Sequence, residues 1–279
     1  MNLRSGFRLS FTALLAGAVL GGAVGCTQLH GGLGNSFGGR TWVDLTHSFD
    51  ADTVYWPTEH EGFVLDIVHD GPSEEGYHYA AARFSTAEHG GTHLDAPRHF
   101  AAGKLGVAAL PLASLIGPAV VIDIAQRAAN DPDALLEVAD LRRWEARHGR
   151  IPVGAIVLMR SGWSRHWPDR ARVLGTSEFG DVDGLHFPGI APGAARFLVE
   201  QREIAAVGVD TPSIDHGPSR DFATHRIVAA ADMPAFENVA HLESLPETGA
   251  LVVALPMKIR GGTGAPLRIV GVLPVEMAD

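Results

Sequence analysis

The chain has 279 residues, 46% of them hydrophobic, enough for one sizeable core and within the range of one large α/β domain or two small ones. A formal charge of -10 and a pI near 5.7 argue against nucleic acid or anionic lipid as the main partner. One cysteine excludes a disulfide within the chain, and 14 histidines are the one compositional oddity.

The N-terminus carries Arg4 and Arg8, then an apolar run, then small residues up to Cys26, the layout of a secretory signal over residues 1–25. The run is short for a membrane span and no stop-transfer cluster follows it. "AVGC" (23–26) has the form of a bacterial lipobox, with Ala23 where Leu is usual. The expectation is a lipidated Cys26 and an exported, periplasm-facing lipoprotein that touches the membrane through its anchor alone; Thr27 leans it toward the outer membrane. Residues 26–40 are Gly-rich and aperiodic and read as a tether, so the folded domain spans 41–279.

From there the pattern turns globular. "TWVDLTH" (41–47), "FVLDIVH" (63–69) and "YHYAAARFST" (77–86) read as strands, and so does "AVVIDIA" (119–125). "VADLRRWEARHG" (138–149) has helical spacing, stopped by Gly149 and Pro152. A buried strand at 155–163, a helix at 191–203, a strand at 204–211, a helix at 221–232 and strands at 251–259 and 267–275 complete the order. Strands and helices alternate in the middle and strands follow strands at both ends, which predicts an α/β domain with a mixed sheet.

The densest chemistry is "EHGGTHLDAPRHF" (88–100). His89, His93, Asp95 and His99 are all odd-numbered, so an extended chain would turn them to one face. Gly90, Gly91 and Pro97 disfavour a helix, and the paired glycines allow a close backbone approach. Without a thiolate, imidazole and carboxylate donors suit Zn, Mn or Fe. Downstream, His225 sits on the helix 221–232, and Glu237 lies in the apolar run "MPAFENV", where an acid needs a partner or a metal. His99, beside the donors, is placed as a general base. Trp56 in "VYWPTEH" is a candidate apolar wall for the substrate. His47, His186 and His216 are weaker candidates for substrate contacts, and Asp210 and Asp215 in "DTPSID" are taken as structural.

"HGGTHLDAPRHF" resembles the HxGTHxDxPxH signature of the cyclase family of metal-dependent hydrolases, which includes bacterial kynurenine formamidase and isatin hydrolase. "DLTHSFDADTVYWP", "HFPGIAPGAARFLVEQREIAAVGVDTPSIDHG" and the His225 to Glu237 spacing extend the likeness over most of 41–279. The resemblance implies a swivelling β/β/α domain, a homodimer or homotetramer, and metal ligands at His89, His93 and Asp95. It further implies His99 as the catalytic histidine, His225 and Glu237 as ligands of a second ion, and Asp95 as a bridge. Family members with a single manganese leave the complement at one or two Zn²⁺ or Mn²⁺ per chain. The expected activity is hydrolysis of an amide, lactam or ester in a small molecule. The export signal sets this chain apart from the mostly cytoplasmic formamidases. Two other functions fit the same residues: a metal- or ligand-binding lipoprotein without catalysis, and an isomerase or dehydratase acting on an enolisable substrate. A base at His99 favours catalysis over binding.

Overall fold

A computed structural model describes residues 39–274. The expected signal segment 1–25, Cys26 and all of the tether before Gly39 lie outside the described residues.

In chain order the strands are β1 (Trp42–Asp44), β2 (Val64–Pro72), β3 (His78–Ser85), β4 (His93–Asp95) and β5 (Ile116–Asp123). Helix α1 (Ala125–Ala128), β6 (Leu135–Leu136), α2 (Val138–His148), β7 (Ile156–Arg160) and α3 (Arg170–Leu174) follow. Then come β8 (Gly189–Ile190), α4 (Pro192–Arg202), β9 (Ala206–Val209), α5 (Ala223–Ala230), β10 (Ala235–Glu237), β11 (Leu251–Pro256) and β12 (Gly264–Val272).

Eight strands form one sheet in the order β1-β12-β11-β5-β7-β9-β10-β4. β5, β7, β9 and β10 run parallel, and the other pairings are antiparallel, so the sheet is mixed as expected. The first half of β12 also pairs with β4, which closes the sheet into a barrel. The central strands bury both faces, as parallel strands do. Ala119, Val121, Ile156 and Leu158 pack inside with Leu94, Phe236 and Leu267. Val120, Ile122, Val157 and Met159 face outward against Leu141 and Trp144 of α2 and Ala194 and Leu198 of α4. Helix α2 forms where the spacing predicted it and starts on a capping box between Glu137 and Asp140.

Asp210, at the end of β9, is structural as expected. Its buried carboxylate accepts from the backbone N–H groups of Ser161, Gly162 and Trp163 and from the Ser161 hydroxyl, tying the end of β7 to the end of β9. Burial pushes this carboxyl up to about 6 against the pull of those four donors.

The cluster segment is extended and kinked, as its glycines and proline predict, with only three of its residues in a strand. His93 and Asp95 alone share a strand face, whereas His99 ends a 3-10 turn, Pro97–His99. Gly91 has φ +58 and breaks the extended run before β4, and Pro97 opens the turn after it. The paired glycines are approached by the protein's own aromatic rings: a Cβ on Gly90 would lie 2.1 Å from the Tyr55 ring, and one on Gly91 2.6 Å from Phe49.

Candidate active site

β4 lies between β10 and β12, and its register sets the site. Glu237 pairs directly with His93, Ala235 and Gly264 both pair with Asp95, and Leu94 points the other way into the barrel core. Strand alternation thus puts His93 and Asp95 on one face with Glu237 beside them. The short strand β10 is not apparent in the sequence, where Pro234 and the run around Glu237 read only as an apolar stretch after a helix.

Asp95 is 5% exposed and is ringed by imidazoles. His89 Nδ1 is 2.6 Å from Oδ1, His93 Nε2 3.2 Å from Oδ1, His225 Nε2 3.2 Å from Oδ2 and His99 Nε2 3.8 Å from Oδ2. Glu237, also buried, reaches His93 Nε2 at 3.4 Å and His225 Nε2 at 3.1 Å. The six residues singled out around 88–100 and 225–237 therefore converge on one place.

Their partners decide which nitrogens face inward. His93 Nδ1 donates to Gly91 O at 3.1 Å, which turns Nε2 to the site. His225 Nδ1 donates to Asp215 Oδ2 at 2.7 Å, and the same carboxylate accepts from the first N–H groups of α5, at Thr224 and His225. Asp215 is thus more than a strand-end residue: it orients His225, a role that spacing alone left hidden. Glu237 Oε1 is held in turn by Ile214 N at 2.8 Å.

The electrostatics follow from burial and mixed charge. Burial disfavours charge on His225 and His93, but it is outweighed, and both imidazoles are held above their ordinary value, by Asp215, Asp95 and Glu237 for His225 and by Asp95 and Glu237 for His93. Burial likewise opposes ionisation of Asp95, yet His89, His225 and His93 hold its carboxyl well below the usual range. Burial pushes His99 down to about 4, with the neighbouring imidazoles adding to it and Asp95 opposing, so His99 is a neutral acceptor at neutral pH.

This donor set fits a divalent metal. His93, Asp95 and Glu237 offer ligand atoms within 4.8 Å of one another, and so do His89, Asp95 and His99, so two groups share Asp95. Among the described residues no lysine or arginine lines the cavity to neutralise the buried carboxylates. Nitrogen and oxygen donors of this kind suit Zn or Mn.

The cluster opens into a cavity of about 310 Å³, the size of a small-molecule site. Trp56 lines it together with Phe100 and Phe222; its ring lies 6.3 Å from that of Phe222 and edge-on to Phe187. Phe100 ends the 88–100 stretch without a role assigned to it there, and Phe222 follows from no sequence motif. His47, His186 and His216 do not line this cavity. His47 stacks on Trp167 at 4.3 Å, and His186 pairs with Asp133 at 2.9 Å near the surface.

A buried set of imidazoles and carboxylates beside an aromatic-walled cavity defines a metal-dependent enzyme. A family model described as "Putative cyclase" matches residues 43–216, and the chain belongs to this cyclase family of metal-dependent hydrolases. It is 34% identical over 195 residues to an isatin hydrolase of Roseibium aggregatum, covering 67% of this chain and 72% of that one. It is 28% identical over 231 residues to a kynurenine formamidase of Salinibacter ruber, covering 82% and 95%. Among solved structures, isatin hydrolase A of Ralstonia solanacearum superposes with a TM-score of 0.77 at 33% identity, over 86% of this chain and 95% of that one. The protein is a metal-dependent hydrolase that cleaves amide bonds, which sets aside a binder without catalysis.

If the cluster holds the metal, His93→Ala will purify with much less of it than wild type, because a lost ligand weakens the site directly. His186→Ala, remote from the cavity, will match wild type. Elemental analysis of the three proteins decides; equal metal in His93→Ala and wild type rejects the ligand set.

Proposed function

We propose that the enzyme opens a cyclic amide joined to an aromatic ring, using one or two Zn²⁺ or Mn²⁺ ions held by His89, His93, Asp95, His225 and Glu237. The observation that carries this reading is the placement of Trp56, Phe100 and Phe222 as flat apolar walls around the donor cluster. The isatin hydrolase relatives support a fused cyclic substrate, and the formamidase relatives make an open aryl formamide the second choice. A bound divalent ion supplies Lewis-acid activation of water and of the carbonyl oxygen.

The chain's own groups do the rest. His99 lies against Asp95 on the cavity wall and can take the proton of the attacking water, then pass it to the departing nitrogen. Ser213 also lines the cavity; its Oγ accepts from Asp215 N, which leaves its hydroxyl proton for a substrate oxygen. The aromatic walls exclude water and hold the ring so that its carbonyl faces the cluster.

The hairpin of β2 and β3 exposes Val64, Leu65, Ile67, Tyr79 and Phe84. That apolar surface supports assembly with further copies of the chain, as a homodimer or homotetramer; a monomer in sedimentation velocity would contradict it. Arg4, Arg8, the apolar run and Cys26 support export and lipidation, with the enzyme facing the periplasm from the membrane and Thr27 favouring the outer one. Cell fractionation tests this: wild type will enter the membrane fraction and Cys26→Ser will leave it, whereas equal cytoplasmic solubility of both refutes the anchor.

Metal-loaded protein assayed with isatin and with N-formylkynurenine will release the ring-opened acid from the first faster than formate from the second. In the same assay His99→Ala will lose roughly 10²–10⁴ in kcat while keeping its metal and its fold. Loss of metal in that variant would make His99 a ligand, and full activity would make it a bystander.

A further inference from the structure

His89 is held on both sides. Nδ1 faces Asp95 Oδ1 at 2.6 Å, and Nε2 faces Thr263 Oγ1 at 2.8 Å. Thr263 Oγ1 lies in turn 2.6 Å from Glu88 Oε2. The same Glu88 oxygen accepts from Thr263 N at 2.8 Å and Gly264 N at 3.3 Å, donors that favour its ionised form.

The direction of these bonds follows from what each group has to offer. A carboxylate only accepts, so the single hydroxyl proton of Thr263 goes to Glu88. Thr263 Oγ1 is left with lone pairs alone, and His89 Nε2 must bring the proton to that contact. A histidine that binds a metal does so as the neutral imidazole with one proton, and with that proton kept on Nε2, Nδ1 is the nitrogen that would offer its lone pair on the Asp95 side.

Two further contacts complete the seat. A Cβ on Gly264 would come within 2.5 Å of His89 Cε1 and 2.9 Å of Nδ1, so only glycine lets β12 lie this close to the ring. His89 also stacks on His99, with ring centroids 3.7 Å apart and an interplanar angle of 17°. The seat that fixes one imidazole plane therefore fixes the other.

Resting on the metal-centre reading above, we propose that Glu88 and Thr263 are positioning residues that select Nδ1 of His89 as its metal-binding nitrogen and hold the His89–His99 stack in place. An outer partner on the far nitrogen of a metal-binding histidine sets its tautomer and orientation, and its loss costs about 10–100-fold in affinity. Thr263 is therefore required for its hydroxyl and not for its bulk.

The test is zinc affinity of the chelator-stripped protein, read by competition with a fluorescent indicator. Thr263→Val is expected to bind zinc about 10–100-fold more weakly than wild type. Thr263→Ser, which keeps the hydroxyl, should bind as wild type does, and Glu88→Gln should weaken binding in the same direction as Val. In zinc-loaded wild type with ¹⁵N-labelled histidine, His89 should keep its N–H at Nε2 and show a metal-shifted Nδ1. That spectrum gives an answer even where Thr263→Val does not fold. Wild-type affinity in Thr263→Val, equal loss in Val and Ser, or zinc on Nε2 would each overturn the proposal. His93→Ala separates the two levels: if it too retains zinc, the metal centre itself is wrong, and if it alone loses zinc, only the positioning role falls.

Discussion

Asp95 carries a carboxylate into the interior with no lysine or arginine among the described residues beside it, and the site is built to make that tolerable. An isolated buried charge costs several kcal/mol, so its neighbours must supply compensating donors or a cation. Four imidazoles approach it, the nearest at 2.6 Å and the farthest at 3.8 Å. Its position is not free to relax, because β4 is paired on both edges and closes the barrel through β12. Turning Asp95 away would turn Leu94 out of the core, so barrel closure and site geometry are one constraint.

The remaining donors arrive from two other elements, both steadied by the loop after β9. Glu237 comes across the ladder from β10, parallel to β9, and His225 comes from the first turns of α5, pinned by Asp215 in the loop after β9. The loop after β9, with Asp215, Ser213 and Phe222, lies at the carboxyl end of that strand, beside the cavity. Each inward nitrogen is chosen by an outer partner: Gly91 O for His93, Asp215 for His225 and Thr263 for His89. Each of these three imidazoles is thus held by a hydrogen bond on its outer nitrogen, which lowers the ordering cost of binding an ion.

Much of this is legible in the sequence because the ligands are concentrated. Residues 88–100 supply four of the six side chains of the cluster, and the single cysteine of the chain stands far from them in sequence, so the chemistry shows in composition and spacing. The mixed sheet is legible too, since buried parallel strands read as continuous apolar runs. What stayed hidden is non-local or breaks a simple period. Strand alternation accounts for His93 and Asp95 but not for His89 and His99, which a left-handed glycine and a proline-led turn bring in from outside the strand. β10 is three residues long and offers no period to detect. Thr263 meets Glu88 across 175 positions and Asp215 meets His225 by a loop folding back, so neither pairing leaves a local pattern.

The central claim is that Asp95 and its neighbours form a divalent-metal centre. Anomalous scattering from crystals grown with zinc addresses it directly. The account predicts a peak enclosed by His93 Nε2, Asp95 and Glu237, at roughly 2.0–2.2 Å from the donor atoms. An absence of anomalous density there at full zinc occupancy elsewhere, or a peak bound only by surface histidines such as His186, would contradict it.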